Sequence, residues 1–396
     1  MKIGNFLECK IPNGLEISCS VESKGIQEHT LRYKIQTSHK KFISPQNADW
    51  ALLGLIYPAM MQGNDMYIDA PISKNLLFYV QNDLQKLLKS IQKKLTIIKI
   101  FAETIDEKSD KSNITATGFS GGVDSFATIA INSHDKAPEN ILNLTLFNVG
   151  AFGKDDTVLR EQLIDKSFSQ LKKYAKLINK NWFFVDTNLE SFYYNLHNSG
   201  FQKTHTLRNA SAALSLQSKI TNYLYSSGVS YNKISTVETK FTTPSNEISY
   251  IDPILLPIIS SPNMKFTSFG GSYSRFEKIK IVSEFRLADK FLNVCTSRHA
   301  QRLQNENCST CHKCMRTMLS LELLGKLEKF SNRFDLILYN KNKQNFIRKI
   351  SLANLYGNNS DSEIHEILKS LSMHARPNII DYIKLKKYYF KKLFGK

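Results

Sequence analysis

Two adjacent glycines flanked by hydroxyls, in Phe119-Ser120-Gly121-Gly122-Val123-Asp124-Ser125, constrain this chain more than any other stretch. The residues before them, Ile114 to Phe119, are rich in β-branched side chains and read as a short buried strand. Val123 to Ile131 read as a helix with Asp124 and Ser125 in its first turn. Without Cβ atoms, Gly121 and Gly122 let the backbone turn sharply and approach a ligand closely. The amides of such a turn and of the helix N-terminus converge on one point, which suits an anion. Ser120 and Ser125 add two donors. Asp124 fits an anion site only when Mg²⁺ accompanies the phosphates, because a lone carboxylate would repel them. Polyphosphate with Mg²⁺ satisfies all of these features. The loop is not a Walker A sequence, since no G-x-x-x-x-G-K-[ST] occurs.

Composition bounds the rest. A chain of 396 residues that is 42% hydrophobic can fold as two or three compact units, which excludes wholesale disorder. No apolar run approaches the roughly 18 residues of a membrane span. The start, MKIGNFLECKIPNG, lacks the features of a signal peptide, so a cytoplasmic location is expected. The net charge of +18 favours a polyanionic partner, nucleic acid above all. The lysines are spread along the chain, however, and only Lys384, Lys386, Lys387, Lys391, Lys392 and Lys396 cluster densely. An AT-rich source genome accounts for that spread equally well. The basic end YYFKKLFGK reads as a solvated tail or a membrane-surface segment.

Along the chain, residues 1 to about 45 alternate as strands, and Asp49–Met61 and Ser73–Leu95 have helical apolar spacing. Thr96–Ala102 reads as one more strand, and the polar run DEKSDKSN at Asp106–Asn113 as a linker. This divides the chain into an α+β N-terminal domain at 1–110, a catalytic domain at 111–329 and a basic helical C-terminal extension at 330–396. From Ile114 onward strand and helix alternate: strands at Leu142–Val149, Trp182–Asp186 and Lys233–Val237, helices at Asp156–Asn179 (capped by Asp155 and Asp156) and Thr206–Ser226. Such alternation predicts an α/β fold with a doubly wound parallel sheet, whose ligand sits at the carboxyl ends of the strands. Ser120–Ser125, Asn148–Gly150, Asp186–Asn188 and Glu238–Lys240 then gather around one crevice, with a nucleotide base against Phe147–Gly150. The Pro- and Ser-rich stretch from Lys240 to Gly271 reads as a long irregular loop, and Arg275, Glu277 and Lys278 open another helix.

Cys308, Cys311 and Cys314 recur every third residue, with Cys295 upstream. Four such cysteines in a reducing compartment point to a closed tetrahedral Zn²⁺ site, a zinc knuckle. His299 or His312 can replace one sulfur, and Lys313, Arg316 and Arg298 offset the charge of a Cys₄ centre. An iron–sulfur cluster is the rival reading, but its cysteine run ends in proline, and here Met315 to Met318 follow.

The run SGGVDS resembles the PP-loop (SGGxDS) of the ATP pyrophosphatase superfamily, whose fold is adenine nucleotide α-hydrolase-like. With the C-x(n)-C-x₂-C-x₂-C knuckle and the Arg208-Asn209 pair, residues Ile114 to Leu324 look like the 7-cyano-7-deazaguanine synthase family. Asp252-Pro253 and Arg275 to Lys278 fall where that family has its substrate loop and a basic segment. The resemblance implies that ATP and Mg²⁺ bind Phe119 to Ser125, with Asn148 nearby, and that Asp124 and Ser125 take part in catalysis. It implies activation of a small carboxylate as an acyl adenylate, then amide or nitrile formation, with Arg208 or Lys278 on the carboxylate or the α-phosphate. The chain departs from the family in a longer first cysteine spacing, in Leu207 where a glycine precedes Arg-Asn, and in its two extensions. A tRNA-modifying thiolase and a non-catalytic nucleotide-binding module remain alternatives. The acceptor is then a nucleic acid or a protein, and an oligomer is compatible with the sequence.

Overall fold

The computed structural model of the chain describes residues 1–106, 113–133, 140–152, 157–194, 196, 200–231, 234, 247–295, 307–355 and 361–372. They form two compact units, Met1–Ser274 and Arg275–Lys396.

The first unit is α/β, built on one ten-stranded sheet. An antiparallel meander of β1 (Lys2–Ile11), β2 (Gly14–Glu22) and β3 (Thr30–Thr37) opens the chain. Strict alternation of buried residues with half-exposed or exposed ones in LEISCSVE and LRYKIQT gives each strand one core face. Helix α1 (Asp49–Gln62) follows, buried on all sides from Asp49 to Met60 and closed by Gly63 in the left-handed conformation, φ 68°. Next come β4 (Met66–Ser73), α2 (Lys74–Tyr79), a π-helical turn at Val80–Leu84, α3 (Gln85–Ile91) and β5 (Ile100–Ile105).

The alternating half comprises β6 (Thr115–Gly118), α4 (Val123–Ile131), β7 (Ile141–Asn148), α5 (Thr157–Leu177), β8 (Asn181–Thr187), α6 (Phe201–Leu214), β9 (Asn222–Ser226), α7 (Asp252–Ile258) and β10 (Lys265–Phe269). Its strands run parallel in the order β10-β9-β6-β7-β8. The chain moves outward from β6 to β7 and β8, then crosses back to β9 and β10 on the other side of β6. That reversal makes the gap between β6 and β9 a topological switch point, where the loops leaving the carboxyl ends of the two strands diverge. Helices cover both faces. Phe183 and Val185 join the core beneath α1 and α6, while Phe184 faces the other way and stacks on Phe168 of α5 at 4.4 Å.

The first hundred residues are not separate from this half. Strand β3 pairs antiparallel with β8, extending the sheet to β2, β1, β4 and β5. Tyr33 Oη lies 2.6 Å from Ser211 Oγ, which donates to Trp50 O at 2.6 Å, and Tyr193 donates to Gly54 O at 2.8 Å. Gly54 is needed there, since a Cβ would come within 2.8 Å of Ser211 Oγ. Buried Asp49 accepts from Ser73 N (2.9 Å), Ser73 Oγ (2.6 Å) and Gln217 Nε2 (3.2 Å), and Gln217 accepts from Ser261. Breaking such a buried network strands polar groups. The compact units therefore divide between residues 274 and 275, where the composition had suggested 110 and 330.

Two further expectations change, and one falls outside the described residues. The helix expected over Thr206–Ser226 ends at Leu214, and its last five residues are β9. The expected strand at Lys233–Val237 lies, Ile234 apart, outside the described residues. Within the expected loop to Gly271, residues 252–258 are α7 and 265–269 are β10.

The second unit is helical: α8 (Arg275–Glu284), α9 (Ala288–Phe291), α10 (His312–Leu323), α11 (Leu336–Leu355) and α12 (Ser362–Ser370). The lysine cluster beyond residue 372 lies outside the described residues. Among those described, no helix is long and apolar enough to cross a membrane.

Candidate functional site

Residues 119–122 leave the carboxyl end of β6 at the switch point. Phe119 N donates to Thr145 O at 2.7 Å, Gly121 adopts φ +74°, and Gly122 caps α4 with its carbonyl bonded to Phe126 N at 3.0 Å. A β-carbon at residue 121 would be strained in that conformation. Ser125 Oγ donates to Gly122 O at 2.9 Å and lies 3.4 Å from Ser120 Oγ, so both hydroxyls line the inner side of the turn. The first-turn amides of α4 have no carbonyl inside the helix to bond. Asp124 sits half-buried in that turn.

Two members of the expected loop set work from beneath. Phe119 and Val123 are buried at 4% exposure. Phe119 stacks on Tyr174 at 4.3 Å and meets Phe126 edge-on at 5.2 Å. Only their backbones can face a ligand. Gly118 also has a packing reason, since a Cβ there would meet Tyr223 Oη at 3.3 Å, and that hydroxyl reaches across to Thr145 at 2.7 Å.

At the next strand ends, Asn148 Nδ2 donates to Asp186 Oδ1 at 2.6 Å. Asn148 is only 2% exposed, and its Oδ1 finds no hydrogen-bond donor among the described residues. Asn188 turns away from this crevice and joins β3, accepting from Arg32 N (2.9 Å) and donating to Thr30 O (2.7 Å). Glu238 to Lys240 lie outside the described residues.

Arg208 is brought to the same end of the sheet, 2% exposed. Its Nη1 donates to Val149 O at 3.3 Å, and its guanidinium lies 4.0 Å above the Tyr193 ring. Burial lowers its pKa from the usual arginine value, and Tyr193 and Glu190 act in the opposite direction. Gly150, at φ +105°, packs against this group: a Cβ would stand 2.8 Å from Glu190 Cδ and 2.9 Å from Arg208 Nη1. Glu190 in turn lies 3.7 Å from Arg160. Glu190, Tyr193 and Arg160 were missed in the sequence, where nothing separates them from ordinary surface residues. An open groove of about 480 Å³ runs along α7 and β10, lined by Tyr231, Pro253, Pro257, Lys265 and Phe266; none of residues 119–125 contributes to it. Donor chemistry, not volume, singles out the crevice at β6.

In the second unit the four cysteines converge. Their sulfurs all lie within 4.8 Å of one another, with Cys295–Cys311 and Cys308–Cys314 at 3.9 Å and Cys311–Cys314 at 3.4 Å. Tetrahedral zinc with ~2.3 Å bonds to sulfur needs S–S edges of about 3.8 Å, so the donor set fits a metal ion such as zinc. Ser309 in the left-handed conformation (φ 57°) bends the knuckle, and Cys311 N donates to Cys308 Sγ at 3.3 Å. Asn307 ties the two arms together, accepting from Val294 N at 2.8 Å and donating to Leu292 O at 3.0 Å. Hydrogen bonding within the cluster, from Cys295 first, lowers the Cys311 and Cys308 thiols and pushes Cys295 and Cys314 up, as expected of sulfurs that share their protons at close quarters.

His312 is not turned to the sulfurs. Its Nε2 lies 2.7 Å from Asp361 Oδ2, and Arg316 Nη1 donates to Asp361 Oδ1 at 3.3 Å. His299 and Arg298 lie outside the described residues. Lys278 and Arg275 lie on α8 of this second unit, with Lys278 buried at 3% exposure. No family model, curated protein or solved structure matches the chain.

Proposed function

We propose that this protein is an ATP-dependent ligase of the PP-loop type. It adenylates a carboxylate, releases pyrophosphate, and forms an amide or a nitrile. One observation carries the reading: SGGVDS lies between a parallel strand and a helix at the switch point of an α/β sheet, where such folds bind ligands. The turn amides, Ser120 and Ser125 would hold the β- and γ-phosphates, so that charge developing on departing pyrophosphate is met by donors already in position. Mg²⁺ held by Asp124 would neutralise part of that charge. Asn148, with its inward carbonyl oxygen, suits a donor from the nucleoside. Arg208, packed beneath Gly150, supports the nucleoside-side loop rather than meeting the substrate carboxylate directly.

A 7-deazaguanine-type acid is the substrate class that the motif set favours, and zinc is the metal that the four sulfurs favour. Labelled ATP incubated with Mg²⁺, ammonium and 7-carboxy-7-deazaguanine tests both the reaction and the substrate. AMP that forms only with the deazapurine supports the reading; ADP contradicts it. The charge of +18 supports a second reading, a nucleic-acid acceptor for the activated group. AMP formation that depends on added tRNA would select it.

A further inference from the structure

The first unit sorts its charges between the two ends of the parallel strands. Carboxylates gather at the carboxyl end: Asp124 opens α4, Asp186 and Glu190 lie where β8 finishes, and Asp252 faces Tyr225 near the end of β9. The amino end is different. The described segments that lead into the strands there, residues 37–48, 113–117, 140–145, 166–183, 214–224 and 259–267, contain no aspartate or glutamate. Lys40 and Lys41 follow β3, Lys176 lies in the last turn of α5, Lys180 directly precedes β8, Lys219 lies between α6 and β9, and Lys265 opens β10. Lys40, Lys41, Lys176 and Lys265 are exposed, whereas Lys180 and Lys219 are half-buried. Among the described residues none of the six pairs with a carboxylate.

Hydrogen bonds join these places into one face. Ser38 N donates to Trp182 O at 3.1 Å, His39 Nε2 lies 2.7 Å from Asn143 Oδ1, and Lys180 Nζ donates to Asn140 Oδ1 at 3.3 Å. Ser218 donates to Ile43 O, so residues 38–43 pass beneath β8 and β7 and reach the end of α6. Glu8 of β1 comes to the border of this face, where it accepts from Ser44. The lysines look evenly spread in the sequence because each belongs to a different element, and the topology collects them.

We propose that the amino ends of the parallel strands hold a nucleic-acid duplex by its phosphodiester backbone. From β3 to β10 the face spans five strand spacings, about 24 Å. A duplex along that line presents roughly 14 phosphate charges. Lysines are compact charges that meet phosphates without reading bases. The large apolar side chains exposed at this end, Ile43 and Leu177, stand on separate elements, whereas a membrane surface takes a contiguous apolar stripe. Strand β7 is eight residues long, so the face lies roughly 26 Å from the end of the sheet that carries the glycine loop. A duplex held there tethers the protein and leaves the crevice open. The face is independent of whether the crevice adenylates a carboxylate.

Fluorescence anisotropy of the full chain with labelled 24-base-pair duplexes tests this, using RNA and DNA of two unrelated sequences each. All four should bind alike, with Kd about 10⁻⁴ to 10⁻⁶ M near physiological salt, and much more tightly at low salt. Lys40→Gln, Lys41→Gln, Lys176→Gln and Lys265→Gln together should weaken binding by about 10²–10³ at 100 mM salt and flatten the salt dependence, with Tm unchanged. Glutamine at all of Lys384, Lys386, Lys387, Lys391, Lys392 and Lys396 should leave most of the affinity in place. Acetylation of the wild type gives the answer without a variant: bound duplex should protect Lys40, Lys41, Lys176 and Lys265, while exposed Lys86 and Lys89 of α3 stay reactive. Undiminished binding by the four-lysine variant, affinity lost with the C-terminal lysines instead, or strong preference for one sequence overturns the proposal. So does adsorption to phosphatidylserine vesicles without binding to any duplex.

Discussion

Asn148 Nδ2 and Asp186 Oδ1 lie 2.6 Å apart, joining the carboxyl ends of β7 and β8 next to the strand that carries the glycine loop. Asp186→Ala leaves a donor on a side chain only 2% exposed without its acceptor, at a cost of about 1–3 kcal/mol. Thermal denaturation should show a Tm several degrees lower, and calorimetry should show weaker ATP binding. An unchanged Tm would mean that the bond is dispensable.

Gly150 is fixed by both conformation and space. Gly150→Ala requires an L-residue at φ +105° and pushes a methyl group against Glu190 and Arg208. The expected loss is about 1–3 kcal/mol in stability, with weakened nucleotide binding. Gly200→Ala, where a Cβ would meet nothing within 4 Å, serves as the control and should alter neither.

Asp252 carries a pH signature. Burial holds its carboxyl well above the ordinary 3.8, so the folded protein keeps a proton that the unfolded chain gives up. Stability therefore falls as pH rises from the unfolded value through the raised folded one. Asp252→Asn removes this penalty. Its Tm should match the wild type near pH 4 and exceed it at pH 7, and a constant difference across that range would refute the account.

The four-sulfur site should bind about one zinc per chain, measured by elemental analysis of protein purified without added metal. Cys308→Ser should lose most of it and lower the unfolding temperature of the second unit. A brown protein with iron and sulfide would instead identify an iron–sulfur cluster. Cys19, buried and pushed up to about 12, should stay unmodified by iodoacetamide at pH 8 while the protein is folded.

The glycine loop, strands β6 to β8 and the cysteine knuckle were legible because each rests on local chemistry: short spacing, β-branched runs and left-handed turns. Strand β9 was not, since the apolar pattern of α6 continues through Leu214-Ser215-Leu216 into Tyr223-Leu224-Tyr225 with no glycine or proline between them. Strand β10 sits among prolines and serines, and only its parallel pairing to β9 makes it a strand. The polar run after Asp106 looks like a domain boundary, yet Tyr33 and Trp50 bind the N-terminal segment to Ser211 of α6, and Gly54 binds it to Tyr193, through contacts that no local window contains.

The most direct test of the central claim is pyrophosphate–ATP exchange by the wild-type protein and by Asp124→Asn, with Mg²⁺ and 7-carboxy-7-deazaguanine. The account predicts exchange that requires the carboxylate and falls by at least about tenfold in the variant, while both proteins melt at similar temperatures. Exchange that is equal in the two proteins, or ATP cleaved to ADP, would contradict it.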